Sequence, residues 1–120
     1  MFFSFDNNLP IYIQLVRQLK INIISGRLQP MERLPSVRDL ALQTKVNPNT
    51  MQKALSELEE TGLIYTERTN GKFVTADTAL IARHRKEYAE EMAQSFMDQM
   101  QQAGFSHEDC MQYLKDIGGE

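Results

Sequence analysis

Few residues in this chain could do covalent chemistry, and their spacing limits what they can do. His107 and Cys110 share one helical turn with Glu108 and Asp109, a set that on paper could ligate a metal or activate a thiol. The same stretch, Ser106-His107-Glu108-Asp109, is a capping box with acids where the helix dipole favours them. Capping accounts for both carboxylates without a metal. His84 lies between Arg83 and Arg85, a cationic setting that argues for a partly exposed or interface side chain rather than a general base. No phosphate-cradling glycine loop, dinucleotide motif or nucleophile elbow occurs. The chain reads as a non-enzyme with no cofactor and no metal. A small enzyme built on His107 and Cys110 is the weakest alternative, and no substrate suggests itself.

A second constellation is polar without being catalytic. Asn47, Asn49, Thr50, Gln52 and Lys53 gather amides, a hydroxyl and a cation at the start of one helix, with no carboxylate before Glu57. Amides can pair bidentately with adenine, a threonine methyl can meet a thymine methyl, and a helix N-terminus favours phosphate. Downstream, Arg68, Asn70, Gly71 and Lys72 form a short tip whose glycine permits close approach to a groove or backbone. Polar outer faces are usually only solvated. The convergence of an acid-free first turn with a basic tip favours nucleic acid here.

These residues need elements to position them. Ile13, Leu15, Val16, Leu19, Ile21, Ile23 and Ile24 recur at helical spacing within 9–25, with Asn7 or Asn8 as cap, Pro10 in the first turn and Gly26 beyond the end. Pro30 and Pro35 mark a connector. Ser36-Val37-Arg38-Asp39 is a capping box opening a short helix that ends near Thr44. Asn47 caps a third helix with Pro48 at its first position. Met51, Ala54, Leu55 and Leu58 form its inner stripe, Asn49, Lys53 and Ser56 lie opposite, and Gly62 stops it before Leu63. Residues 64–67 and 72–75 are β-prone and flank an Asn70-Gly71 hairpin signal. A long helical pattern follows from Asp77 to about Gln102, then a last short helix expected to bury Met111, Leu114 and Ile117.

The fold class is therefore mainly α with a small β-hairpin: a winged helix-turn-helix over 1–76 and a two-helix tail over 77–120. The net charge of −3 hides an asymmetry between these parts. Residues 1–76 carry nine Lys/Arg against seven Asp/Glu, whereas 77–120 carry four against nine. Only the first part can approach a polyanion favourably, and the acidic tail should face away from it. Cys110 is the only cysteine, which excludes a disulfide framework. With no long apolar run and no basic leader, a cytoplasmic, non-membrane protein is expected.

Several motifs then occur in one order. Leu34-Pro35-Ser36-Val37-Arg38-Asp39-Leu40-Ala41, Val46-Asn47-Pro48-Asn49-Thr50 and Gly62-Leu63-Ile64 closely resemble the DNA-binding domain of the GntR family of bacterial transcriptional regulators. Pro10-Ile11-Tyr12-Ile13-Gln14-Leu15 and Ser25-Gly26-Arg27-Leu28-Gln29-Pro30 match its first helix and link. The resemblance implies that Arg38 contacts DNA, that Asn47, Asn49, Thr50 and Gln52 read bases or phosphates, and that Gly71 enters the minor groove. Two departures stand out. The link reads Pro30-Met31-Glu32 where the family has Pro-Gly-Glu, which predicts a reshaped turn. The wing has lost the first of two glycines, giving Thr69-Asn70-Gly71-Lys72.

The tail is too short for the ligand-sensing domain most relatives append and is similar to that of the YtrA subfamily, whose members are dimers. Its apolar stripe, Ile81, Tyr88, Met92, Phe96 and Met100, is expected to mate with a second copy. Its methionines leave room for an unidentified small-molecule effector. The function expected is a homodimeric, sequence-specific transcriptional regulator, read as a repressor, on a palindromic double-stranded DNA operator. Ser36, Arg38, Lys45, Asn47, Asn49, Thr50, Gln52, Lys53, Arg68, Asn70, Gly71 and Lys72 are the candidate contacts. The alternative is a winged-helix protein-interaction module that has lost DNA binding. It would require an apolar or acidic outer face on the third helix, and the sequence has neither.

Overall fold

Burial of the helical stripes sets the architecture of the computed structural model, which describes residues 1–6 and 8–119. The elements are α1 (Ile11–Ile24), α2 (Val37–Thr44), α3 (Pro48–Glu60), β1 (Ile64–Glu67), β2 (Gly71–Val74), α4 (Thr78–Gln102) and α5 (His107–Gly118). Two compact units divide the chain, Met1–Arg85 and Lys86–Glu120. The first runs past residue 76 because Leu80 and Ile81, at the start of α4, pack against its core. That core joins Leu15, Leu19 and Ile23 of α1, Leu40 of α2, the Met51-Ala54-Leu55-Leu58 stripe of α3, and Leu63, Ile64 and Val74 around the hairpin.

The start of α1 differs from expectation. Pro10 occupies the cap position and offers no side-chain cap, and Asn8 instead donates its N–H to Asp6 Oδ1 at 2.8 Å. Asn7 lies outside the described residues. A different device holds the N-terminal segment. Gln14, Gln18 and Asn22, four residues apart on α1, accept from the N–H groups of Asp6, Ser4 and Phe2 and donate to the carbonyls of the same residues. Four helical residues rise about 6 Å and two extended residues about 6.6 Å, so three side-chain amides can serve alternate backbone groups as a neighbouring strand would. Phe3 and Phe5, at the intervening positions, pack against the core and stack on each other at 6.1 Å.

The link after α1 carries Met31 in a glycine-like conformation. Met31 adopts φ +67°, the left-handed conformation that a glycine would take without strain. Backbone bonds to β2 hold the segment in this conformation. Met31 N–H donates to Val74 O at 3.0 Å, Val74 N–H to Glu32 O at 2.9 Å, and Leu34 N–H to Lys72 O at 2.8 Å. Arg33 thereby forms an antiparallel bridge with Phe73, outside the two-stranded hairpin.

The hairpin pairs Ile64 with Val74 through Glu67 with Gly71. Asn70-Gly71 is therefore not a two-residue turn: residues 68–70 form the loop, and Gly71 follows at φ +99°. A three-residue loop closed by a left-handed glycine gives the strands their native twist.

In the second unit Ser106 and Asp109 complete both halves of the expected capping box. At α2 only one half forms, Asp39 N–H to Ser36 Oγ at 3.0 Å. The expected burial on α5 is overturned. Met111, Leu114 and Ile117 stand 44%, 48% and 84% exposed, and Cys110 is the residue buried there. Phe105 meets Tyr113 edge-on at 5.7 Å.

Two stability outcomes follow. Asn22→Ala removes a fully buried amide and should destabilise by about 1–3 kcal/mol, with faster amide exchange at Phe2 in hydrogen-exchange NMR. Met31→Gly relieves the left-handed strain and should raise stability by about 0.5–1 kcal/mol in urea unfolding.

Candidate nucleic-acid interface

The buried stripe of α3 fixes which of its residues face outward. Asn49, Gln52, Lys53 and Ser56 are exposed, whereas Thr50 is half-buried. Gln52 reaches along the helix toward Ser56 Oγ at 3.4 Å, a weak contact that leaves its amide free to turn. Asn47 is committed as the cap. Its Oδ1 accepts from Asn49 N–H at 2.8 Å, so only its Nδ2 donor remains for a bound molecule, and bidentate reading of adenine by Asn47 is lost.

Around this ridge stand exposed cations. Arg38 lies in the first turn of α2, and Lys45 follows its end at φ +57° with its N–H on Ala41 O. Arg68 occupies the hairpin loop beside Asn70, whose Nδ2 donates to Glu67 Oε2 at 3.0 Å. Among the described residues no carboxylate lies within ion-pair distance of Arg38, Lys45, Lys53 or Arg68. Their charge is available to a polyanion.

Lys72 behaves differently. Its Nζ donates to Thr66 Oγ1 at 2.8 Å and pairs with Glu59 at 3.4 Å, its side chain only 15% exposed. The structure thus turns Lys72 into a clamp between the hairpin and α3 rather than a free phosphate ligand. Thr66 Oγ1 also donates to Glu59 at 2.7 Å. The hydroxyl contact first, and the Lys72 charge after it, hold the Glu59 carboxyl below its ordinary range against the opposing effect of burial. Glu57 is restrained in the same manner from the other side, accepting from Tyr12 Oη at 2.7 Å. That bond raises the Tyr12 pKa. Two of the three acids at the end of α3 are therefore bound to groups on other elements.

Sequence reasoning missed Tyr12 and Thr66 as restraints on acids, and it missed Arg33. The Arg33 guanidinium lies over Gly71, where a Cβ would come 3.3 Å from its Nε. No local pattern announces this, because the pairing of residue 33 with Phe73 spans the whole of α2 and α3. The sites weighed for chemistry do not assemble. His84 is buried at 8% exposure, which leaves the interface alternative rather than the partly exposed one, and Cys110 is fully buried. Among the described residues no group of three or more His, Cys, Asp and Glu could hold a metal ion. No described helix is long and apolar enough to cross a membrane.

The clamp has a pH signature. Its stabilisation is present above the ordinary carboxylate pKa and is lost as pH falls through the depressed value in the folded state. Glu59→Gln should flatten the acid limb of the stability–pH curve. A double-mutant cycle with Lys72→Met should give a coupling of about 0.5–1 kcal/mol, the size of a partly exposed pair.

Comparison with known proteins agrees with this geometry. The model of the bacterial regulatory proteins of the gntR family matches residues 11–74. The chain is 34% identical over 112 residues to the uncharacterized HTH-type transcriptional regulator YhcF of Bacillus subtilis (strain 168), covering 93% of each. It is 35% identical over 113 residues to the HTH-type transcriptional repressor YtrA of the same organism, covering 92% of this chain and 86% of that one. A GntR family transcriptional regulator from Listeria monocytogenes superposes with a TM-score of 0.88 at 37% identity, over 93% of this chain and 98% of that one. The DNA-binding domain of AraR, solved in complex with an operator, aligns at 27% identity and a TM-score of 0.54, covering 62% of this chain and 94% of that one. The winged helix-turn-helix matches those of DNA-binding regulators, and the chain belongs to the GntR family of bacterial regulatory proteins.

Proposed function

We propose that this protein is a repressor that occupies a palindromic operator as a homodimer in the bacterial cytoplasm. The observation that carries the reading is the outer face of α3: exposed amides and a free lysine on the ridge, with Glu57 and Glu59 tied to other elements. In this reading Asn49 and Gln52 meet base edges in the major groove, with Thr50 beside them. Arg38, Lys45 and Lys53 neutralise phosphates, and Ser36 keeps its hydroxyl proton to donate to one, since Oγ only accepts from Asp39. Arg68, Asn70 and Gly71 form the wing's contact with flanking DNA, and Lys72 holds the wing in place. Asn47 contributes through its single remaining donor.

Residues 1–76 act as the reading head and 77–120 as the pairing element. Tyr88, Phe96 and Met100 are half-buried and Met92 exposed, while Met111, Leu114 and Ile117 stand open to solvent on α5. A second copy would cover that apolar surface. Ile81 packs on the core of its own unit and would join the pairing surface only through its remaining exposed part. Two heads on a two-fold axis would meet half-sites about 34 Å apart. The repressor name of the YtrA relative supports the direction of regulation, and the operator complex of the AraR domain supports the ligand. The methionines of the tail give an effector a surface that repacks easily.

Binding follows counterion release. If each half-site engages roughly three to five phosphates, log K against log salt should fall with a slope of about −5 to −9. Arg38→Ala should weaken all duplexes alike, whereas Asn49→Ala or Gln52→Ala should change base preference by about 1–3 kcal/mol per position. Fluorescence anisotropy with duplexes selected from a random library measures all three. A flat salt response, or a strictly monomeric chain in sedimentation, would overturn the reading.

A further inference from the structure

We infer that Arg33 is a minor-groove arginine of the wing, inserted beside Gly71 into A/T-rich DNA flanking each half-site. The inference rests on the DNA-binding reading above and adds a residue outside the helix-turn-helix and the hairpin. It begins with the backbone. Leu34 N–H on Lys72 O and the Arg33–Phe73 bridge fix residue 33 against β2. Gly71 lies two residues farther along that strand, at the loop. Two extended residues span about 6.6 Å, within reach of an arginine side chain, and the guanidinium does arrive there. Its Nε, Cζ and one terminal nitrogen lie 3.3–3.8 Å from the position of an absent Gly71 Cβ.

Gly71 needs its glycine for a backbone at φ +99°, and its bare Cα also leaves the guanidinium room to lie close against it. The arginine thus runs along the wing toward the tip. Arg33 is exposed, and among the described residues it has no ion pair that would hold it back. The nearest acid on the hairpin, Glu67, accepts from Asn70 instead. Glu32, the adjacent acid in sequence, accepts from Gln29 N–H at 3.1 Å. A narrow A/T minor groove concentrates negative potential and draws in arginine, which sheds its hydration more readily than lysine. The planar guanidinium laid against Gly71 adds a cationic edge to the wing beside its tip.

The test uses the full-length protein and a duplex it recovers from a random-sequence library. Selection should enrich A·T pairs just outside the half-sites. Replacing those pairs by G·C should weaken binding about ten-fold, while I·C pairs, which lack the guanine amino group in the minor groove, should restore it to within about two-fold. Arg33→Ala should erase the difference between G·C and I·C flanks, and Arg33→Lys, which keeps the charge and the stem, should lose most of it. Thermal melts that match wild type for Arg33→Lys separate this from misfolding. An Arg33→Ala that loses affinity equally on all flanks would make Arg33 a phosphate contact and overturn the inference, as would unchanged discrimination. A protein that recovers no duplex at all would instead sink the DNA-binding reading itself.

Discussion

Everything in the first unit follows from where the apolar face of α3 can go. Met51, Ala54, Leu55 and Leu58 are almost fully buried, and the helix meets α1, α2 and β1 along that stripe. Burying a leucine is worth about 1.5–3 kcal/mol, so rotating α3 by even one residue would cost several such contributions. The outward positions are consequently set by the inward ones. Amides of modest individual energy can be held in a fixed register because leucines on the reverse side leave no alternative.

Electrostatics are arranged around the same helix. Its carboxylates would repel phosphate if left free. Tyr12 from α1 engages Glu57, and Thr66 and Lys72 from the hairpin engage Glu59. These bonds do two jobs, neutralising or restraining acids near the proposed DNA face and fastening the neighbouring elements to α3. The overall charge of −3 therefore says little about the local field.

Much of the plan was legible in the sequence because its signals are local. Ser36, Asn47 and Ser106 cap their helices, and Gly62 ends α3, as periodicity and capping chemistry require. The failures share a different origin. The Gln14-Gln18-Asn22 amides look like ordinary polar helix positions until an extended segment lies beside them. Met31 retains a glycine conformation because long-range bonds to β2 overrule local preference. Lys72 looked like a free cation because the acid that claims it is thirteen residues away. The apolar residues of α5 read as buried by their pattern, yet within a single chain they are open. A periodic apolar pattern marks a helix face and does not by itself say whether that face is buried.

The amide ladder along α1 joins neutral groups to neutral groups. Mobile ions hardly weaken dipolar pairing of this kind, whereas they strip a protein from a polyelectrolyte readily. The two sides of the head are accordingly governed by different variables. A rise in ionic strength can release the nucleic acid while the amino-terminal strap and the helix beneath it stay assembled, so dissociation and unfolding should occur as separate events.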